Sequence, residues 1–349
     1  MQYDFLIVGQ GLAGTTLAHQ LYKRGLSFQI IDNNADDSTS KVAAGLFNPI
    51  TGRKFVKTWK ADLLFPYLNE FYSELENELK DKFYFPIGIY RPFVNTEEQN
   101  DWTAKSYEPE YSSFISKSHS KTMGLKNIKD PFGGILLKYS GYLDTRKYLS
   151  SSRAFFQEKH SVLEKSLRVE LFETFTEESP LFYEGNKYDK VVLCDGNGAL
   201  SKSLFEFLPF QPVKGEILEL NLNHNLNFTL NRGVWIVPVD NNKVKVGSTY
   251  SWEIDSGITA KAREEILEKY KKLYDSEFSI IKQLSGIRPA TKDRRPFIGI
   301  HPKNHRLGIF NGLGSKGTSL APYFSSEMVD FLLDKKNLTP EVDIMRYFI

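Results

Sequence analysis

One stretch limits more than any other what this chain can fold into: Gly9-Gln10-Gly11-Leu12-Ala13-Gly14, set between the apolar run Tyr3 to Val8 and the helical pattern Thr15 to Arg24. A second apolar run, Phe28 to Ile31, follows the helix stop at Gly25 and ends at Asp32, 18 residues past Gly14. The order is strand, glycine-rich turn, helix, and a strand with an acid at its tip. Each part has a physical job. Gly9 permits the tight turn, Gly11 leaves room for the backbone to approach a pyrophosphate, and Gly14 lets the helix lie close on the sheet. The helix N-terminus then faces the phosphate charge. Asp32 falls near the spacing of an acid that holds an adenosine ribose. The stretch therefore implies a dinucleotide site; the plainer alternative is a glycine turn closing an ordinary β-α unit.

The bulk numbers narrow the setting. A chain of 349 residues is long enough for about two domains with a substantial core. With 45 Lys and Arg against 43 Asp and Glu, the charge of +2 argues against a strongly nucleic-acid-seeking or membrane-seeking surface. A single cysteine, Cys194, excludes an internal disulfide framework and fits a reducing compartment. No signal core precedes the first strand and no 18-residue apolar run occurs, so the expectation is a cytoplasmic protein with no membrane partner.

Along the chain, a polar loop (33–41) leads to Ala43-Ala44-Gly45-Leu46-Phe47-Asn48-Pro49. These small residues either let the backbone pass close to a ligand or form a surface loop. Leu64, Leu68, Phe71, Leu75 and Leu79 predict a long helix over Thr58 to Phe83. From Phe83 short aromatic and β-branched runs, Phe83 to Tyr90 and Ile135 to Lys138, predict antiparallel strands of a second domain. A helix is expected from Thr145 to Lys159 and strand-like segments at Ser161 to Phe172 and Tyr188 to Cys194. The last of these reads as a parallel strand whose tip, Cys194 to Gly196, lies near the ligand, with Cys194 a small buried residue rather than a reactive thiol. Val213 to Leu222, Val234 to Pro238 and Lys243 to Tyr250 read as a meander, followed by a helix over Ile258 to Leu273. Near the end, strand Leu307 to Phe310, the turn Asn311 to Thr318 and an apolar-faced helix repeat the opening arrangement. Two helix N-termini aimed at one site suit a ligand with a pyrophosphate at one end and a ring that becomes anionic at the other. His301 and His305 lie in a polar loop without further ligands, so no metal is expected.

In this order and spacing, the motifs resemble the FAD-dependent D-amino-acid oxidase superfamily, in particular its glycine and sarcosine oxidase branch. The resemblance covers nearly the whole length. It rests on Gly9-x-Gly11-x-x-Gly14, Ser40 to Leu46, Val191 to Gly196, Gly215 in VKGEIL, Trp235 to Pro238 with Gly247 to Thr249, GIRPATKDRRPFIG at Gly286 to Gly299, and GLGSKGTSLAP at Gly312 to Pro322. Ser40 to Gly45 and Gly312 to Gly317 also look like the oxidase domain of the bifunctional tRNA wobble-uridine enzyme.

The resemblance implies an α/β fold: a Rossmann-like, glutathione-reductase-type FAD-binding domain (1–84, 140–205 and 286–349) with an α+β substrate domain on an antiparallel sheet (85–139 and 206–285). It implies non-covalent FAD. Leu12, Ala13, Thr39, Ser40, Ala44, Gly45 and Leu46 would line pyrophosphate and flavin; Asp32 and Asn33 would hold the ribose, although Glu is commoner there. Leu167 or Val169 would meet adenine through its backbone. Leu313, Gly314, Ser315, Lys316, Gly317, Thr318 and Ser319 would border the flavin pyrimidine, with Lys316 either adding charge near N1 and O2 or remaining a solvated loop lysine. Arg288 matches the arginine that grips a substrate carboxylate, the alternative being an ion pair with Asp293 or another acid. The implied reaction oxidises an amine next to a carboxylate: hydride passes to flavin N5, the imine hydrolyses, and oxygen takes the electrons to give peroxide. Alternatives are a dehydrogenase with another electron acceptor, a wobble-nucleoside oxidase acting on tRNA, and a flavin-bound protein without turnover. A homo-oligomer is compatible with all of these.

Overall fold

Hydrophobic runs of four to eight residues at the start and in the middle of the chain build one mostly parallel sheet. The computed structural model describes residues 1–52, 56–172, 175–176, 178–255 and 257–348. In that sheet the strand order is 162–163, 28–31, 2–8, 186–193, 304–311 and 297–301, with 181–183 paired to 186–193. Strands Gln2–Val8, Phe28–Ile31 and Asn186–Leu193 are parallel, as is Asn304–Asn311 beside 186–193, whereas Phe297–His301 closes the edge antiparallel. Near-continuous burial of FLIV, FQII and VVL follows from cover on both faces. Helix Gly317–Leu332 packs against Leu12–Lys23 and Ala61–Leu79, burying Leu17, Leu68, Phe324 and Met328.

A second sheet of eight strands runs 278–288, 213–222, 243–247, 234–240, 229–232, 89–92, 134–137 and 115–119. Every pairing is antiparallel except 229–232 with 89–92. One face packs on helix Ala260–Leu273 through Leu218, Ile236, Val246, Ile266 and Tyr270. The edge strand Phe278–Arg288 crosses the 285/286 division drawn from the sequence and keeps Arg288 in this sheet, paired with Val213, while the Ile287 carbonyl accepts from Thr39 Oγ1. The sheets belong to an α/β fold of the expected class.

Three sequence expectations are corrected. The predicted strand Ser161 to Phe172 is only Val162–Leu163, followed by a loop and a 3-10 turn at Val169–Phe172. The polar stretch Glu164 to Arg168 leaves the sheet after two parallel pairs, and residues 165–170 line the main cavity. The run Phe83 to Tyr90 is broken, because Pro86 and Gly88, the latter at φ +83°, divide Tyr84–Phe85 from Ile89–Pro92. The helix drawn over Thr58 to Phe83 spans Ala61–Leu79; Lys80 turns left-handed at φ +52°, and Glu76 accepts the Phe83 and Tyr84 amides instead.

The core makes a stability contrast testable. Leu17 is fully buried between helix and sheet, whereas Phe182 is 69% exposed. Leu17→Ala is expected to cost about 2–5 kcal/mol in denaturant unfolding, and Phe182→Ala no more than about 0.5 kcal/mol.

Candidate active site

The parallel strands end level with one another. Val8 is in register with Ile31 on one side and Leu193 on the other, and Leu193 with Ile309. The next residues, Gly9, Asp32 and Cys194, therefore share one edge, where the Gly9 N–H donates to Ile31 O at 2.9 Å. Gly9 has φ +98° and lies against the Cys194 carbonyl, so only glycine fits. A methyl group on Gly14 would collide with the Gly9 carbonyl, which is why the helix sits so close to the turn.

This edge opens on a cavity of about 1410 Å³. Helix Leu12–Lys23 begins at Gly11 with no side-chain cap; the Leu12 N–H donates to Ser40 Oγ at 3.1 Å. A Cβ on Gly11 would stand 2.9 Å from that same oxygen. Asp32 accepts from the Gln10 and Asn34 amides at 2.8 and 2.7 Å, and the buried Arg153 guanidinium stands 3.5 Å from its Oδ1. Arg153 also donates to Gln10 Oε1 at 2.6 Å and Glu164 at 2.9 Å, fixing the acid from behind. With about four lone-pair sites on a carboxylate, Asp32 keeps room for one further donor.

At the other group of walls, helix Gly317–Leu332 starts with no side-chain cap, and Gly317, Thr318 and Ser319 border the cavity. Arg288 lies across Gly215, where any Cβ would clash with its guanidinium. It donates to Ser248 Oγ at 2.8 Å and to the Thr249 and Lys214 carbonyls at 3.4 and 3.5 Å. Burial lowers its pKa from the ordinary arginine value. It has no carboxylate partner among the described residues: Asp293, the alternative partner read from sequence, pairs with Arg346 at 3.1 Å. Thr39 Oγ1 donates to the Ile287 carbonyl at 2.7 Å and so ties the early loop to the strand bearing Arg288.

Of the residues expected to bind cofactor or substrate, all but two line this one cavity, from Gly9 through Leu46, Leu167, Val169, Cys194, Gly196 and Arg288 to Ser319. The exceptions are Gly14, buried under the turn, and Gly312, which at φ +75° packs on Thr291 and Phe297. Lys316 directs its ammonium to Thr58 Oγ1 at 3.0 Å and Thr51 Oγ1 at 3.4 Å; burial, with Arg295 and Arg294 nearby, lowers its pKa to about 8. Cys194 is buried and its thiol pKa is pushed up by burial and by Asp195. Tyr90 belongs to the core, its hydroxyl on Asp130, while Trp235 reaches the cavity and Tyr250 and Trp252 are exposed. Sequence reasoning missed Arg153, a helix residue outside any motif, and the side chain of Asn48, which stands between Leu46–Phe47 and Ile50–Thr51 in a stretch read only for its small residues. Among the described residues no group of His, Cys, Asp or Glu could hold a metal ion, and no helix is long and apolar enough to cross a membrane.

The glycine turn, Asp32 and the two helix starts around one cavity set the frame in which the relatives are read. A family model, DAO, FAD dependent oxidoreductase, matches residues 4–331. The chain belongs to that family and is an FAD-dependent oxidoreductase. It is 22% identical over 376 residues to the uncharacterized oxidoreductase YurR of Bacillus subtilis, covering 99% of this chain and 98% of that one. It is 23% identical to the tRNA 5-methylaminomethyl-2-thiouridine biosynthesis bifunctional protein MnmC of Hahella chejuensis, spanning 94% of this chain but 56% of that one. The glycine oxidase structure from Geobacillus kaustophilus superposes with a TM-score of 0.77 at 20% identity, over 97% and 96% of the two chains.

The residues present fit FAD: two helix starts whose own N-cap residues supply no side-chain acceptor, a glycine at position 11 held close to Ser40, and an acid with a free lone pair line one cavity. Gly14→Ala should push the first helix off the Gly9 carbonyl, at a cost of about 1–3 kcal/mol. Purified variant is expected to retain less FAD, read from its absorbance ratio at 450 and 280 nm.

Proposed function

We propose that this chain oxidises an amine next to a carboxylate, with a free amino acid or an N-substituted glycine as substrate. One observation carries the reading: Arg288 is a half-buried guanidinium whose partners are one hydroxyl and two carbonyls, with no acid among the described residues. Burying a cation without a counter-charge is costly. A substrate carboxylate entering the cavity supplies the missing charge and takes up the bidentate fork. FAD, when bound, supplies the hydride acceptor.

The chain's own residues do the rest. Gly215 clears the space in which Arg288 lies, and Ser248 and the Thr249 carbonyl set the fork's direction. Holding the carboxylate fixes which face of the adjacent carbon is presented, which is the positional part of the rate enhancement. Leu12, Ala13, Thr39, Ser40, Ala44, Gly45 and Leu46 would contact the pyrophosphate and flavin, Asp32 and Asn33 the ribose, and Leu167 or Val169 the adenine. The amides of Gly317, Thr318 and Ser319 would face the flavin pyrimidine.

An anaerobic screen of glycine, sarcosine, D-amino acids and N-alkyl glycines should bleach the 450 nm flavin band with at least one of them; no bleaching by any would overturn the reading. Peroxide measured per turnover reads whether oxygen is the electron acceptor. Arg288→Ala is expected to weaken carboxylate binding by about 2–5 kcal/mol with flavin content unchanged, and equal affinity in variant and parent would return Arg288 to a structural role.

A further inference from the structure

A second set of donors without an acid faces the same cavity. Asn48 is only 6% exposed and lines it. Its Oδ1 accepts the Ile50 amide at 3.0 Å, but its Nδ2 is buried with no hydrogen-bond partner. Leaving such a donor unmade costs about 1–3 kcal/mol, so it marks a place where a ligand acceptor belongs. Thr51 and Lys316 line the cavity too, and the chain ties the three together. Lys316 Nζ stands 3.4 Å from Thr51 Oγ1 and 3.0 Å from Thr58 Oγ1, and Thr58 Oγ1 in turn donates to the Asn48 carbonyl at 3.1 Å.

The electrostatics around this cluster have one sign. The charges that act on Lys316 are those of Arg295 and Arg294, and both lower its pKa. Arg295 lies over the Trp59 ring, 4.2 Å from its centroid, and neither arginine has an ion pair among the described residues. The nearest acid in sequence, Asp293, is taken by Arg346. Arg288 is held elsewhere, by Ser248 and the Thr249 and Lys214 carbonyls, and shares no hydrogen bond with the cluster. The cavity therefore presents two separate groups of donors, each short of an anion.

We propose that Asn48, Thr51 and Lys316 form a second acid-recognising subsite, so that the substrate is an amine flanked by two acid-bearing arms, one gripped by Arg288 and the other by this cluster. The inference rests on the carboxylate reading of Arg288 and narrows it to dicarboxylic secondary amines. Selectivity arises because a monoacid leaves the Asn48 amide and the Lys316 charge unmet, whereas a diacid satisfies both.

The test uses holoenzyme and ligands that resist oxidation, with sulfur in place of the amine nitrogen. Affinities of (methylthio)acetate, thiodiacetate and the two longer carboxyalkylthio-acetates are measured by calorimetry and by perturbation of the flavin spectrum. At least one diacid should bind about tenfold or more tighter than the monoacid, since a charge-assisted hydrogen bond is worth at least about one decade. Lys316→Met and Asn48→Ala should each reduce that preference while leaving the monoacid affinity and flavin content near those of the parent, and Lys316→Arg should retain it. The preference should also fade as pH rises past about 8, where free Lys316 loses its proton. Monoacid binding with no diacid preference, or a preference that survives Lys316→Met, overturns the subsite and leaves the Arg288 reading standing. Failure of every ligand, monoacid included, overturns both. A Lys316→Met effect on flavin retention alone, with the preference intact, assigns the lysine to the cofactor and overturns the subsite.

Discussion

Parallel pairing of four strands is the constraint on which the rest of this molecule depends. Because Ile31, Val8, Leu193 and Ile309 stand in one row, whatever follows each of them is delivered to one edge of the sheet. Asp32, Gly9, Cys194 and the turn beginning near Asn311 are distant in sequence and adjacent in space for that reason alone. Sequence separation costs little once the register is set, since loop-closure entropy grows only with the logarithm of length. The sheet also fixes the angle at which the first and last helices begin, so two uncapped N-termini open on the same volume.

Charge balance explains how that volume is held before a ligand enters. Asp32 is restrained by two amides and the Arg153 guanidinium, which is itself neutralised by Glu164. Arg288 and Lys316 are treated differently: each is satisfied by hydroxyl or carbonyl oxygens and lacks an opposite charge among the described residues. Neutral acceptors orient a cation without cancelling it. Such a group remains available to an incoming anion, whereas a salt-bridged one would first have to be released.

Much of this was legible in the sequence, for identifiable reasons. The first β-α-β unit is encoded locally, by apolar runs, glycine spacing and a terminal acid, and the structure follows it within three residues, the helix starting at Leu12 where the sequence pattern began at Thr15. The glycine-rich end, Gly312 to Pro322, was readable in the same way. Segment 161–172 was not, because its path is dictated by the cavity it must border and not by its own alternation of side chains. Arg153 and Asn48 escaped for a related reason: their significance comes from what lies opposite them, 143 residues away in the case of Gln10 and Arg153. Chemistry carried by a contiguous motif can be read along the chain, whereas chemistry assembled across the fold has to be seen.

The position of Cys194 has a practical corollary. It is the chain's single cysteine, with its amide bound to the Val8 carbonyl at 2.8 Å and its own carbonyl pressed against Gly9. Burial keeps the sulfur in its unreactive neutral form, so an alkylating reagent can reach it only when the strands beneath the glycine turn part. The protein thus carries one native chemical probe at the floor of its nucleotide cradle, and the labelling rate of that sulfur, with and without FAD, clocks how often the cradle comes apart.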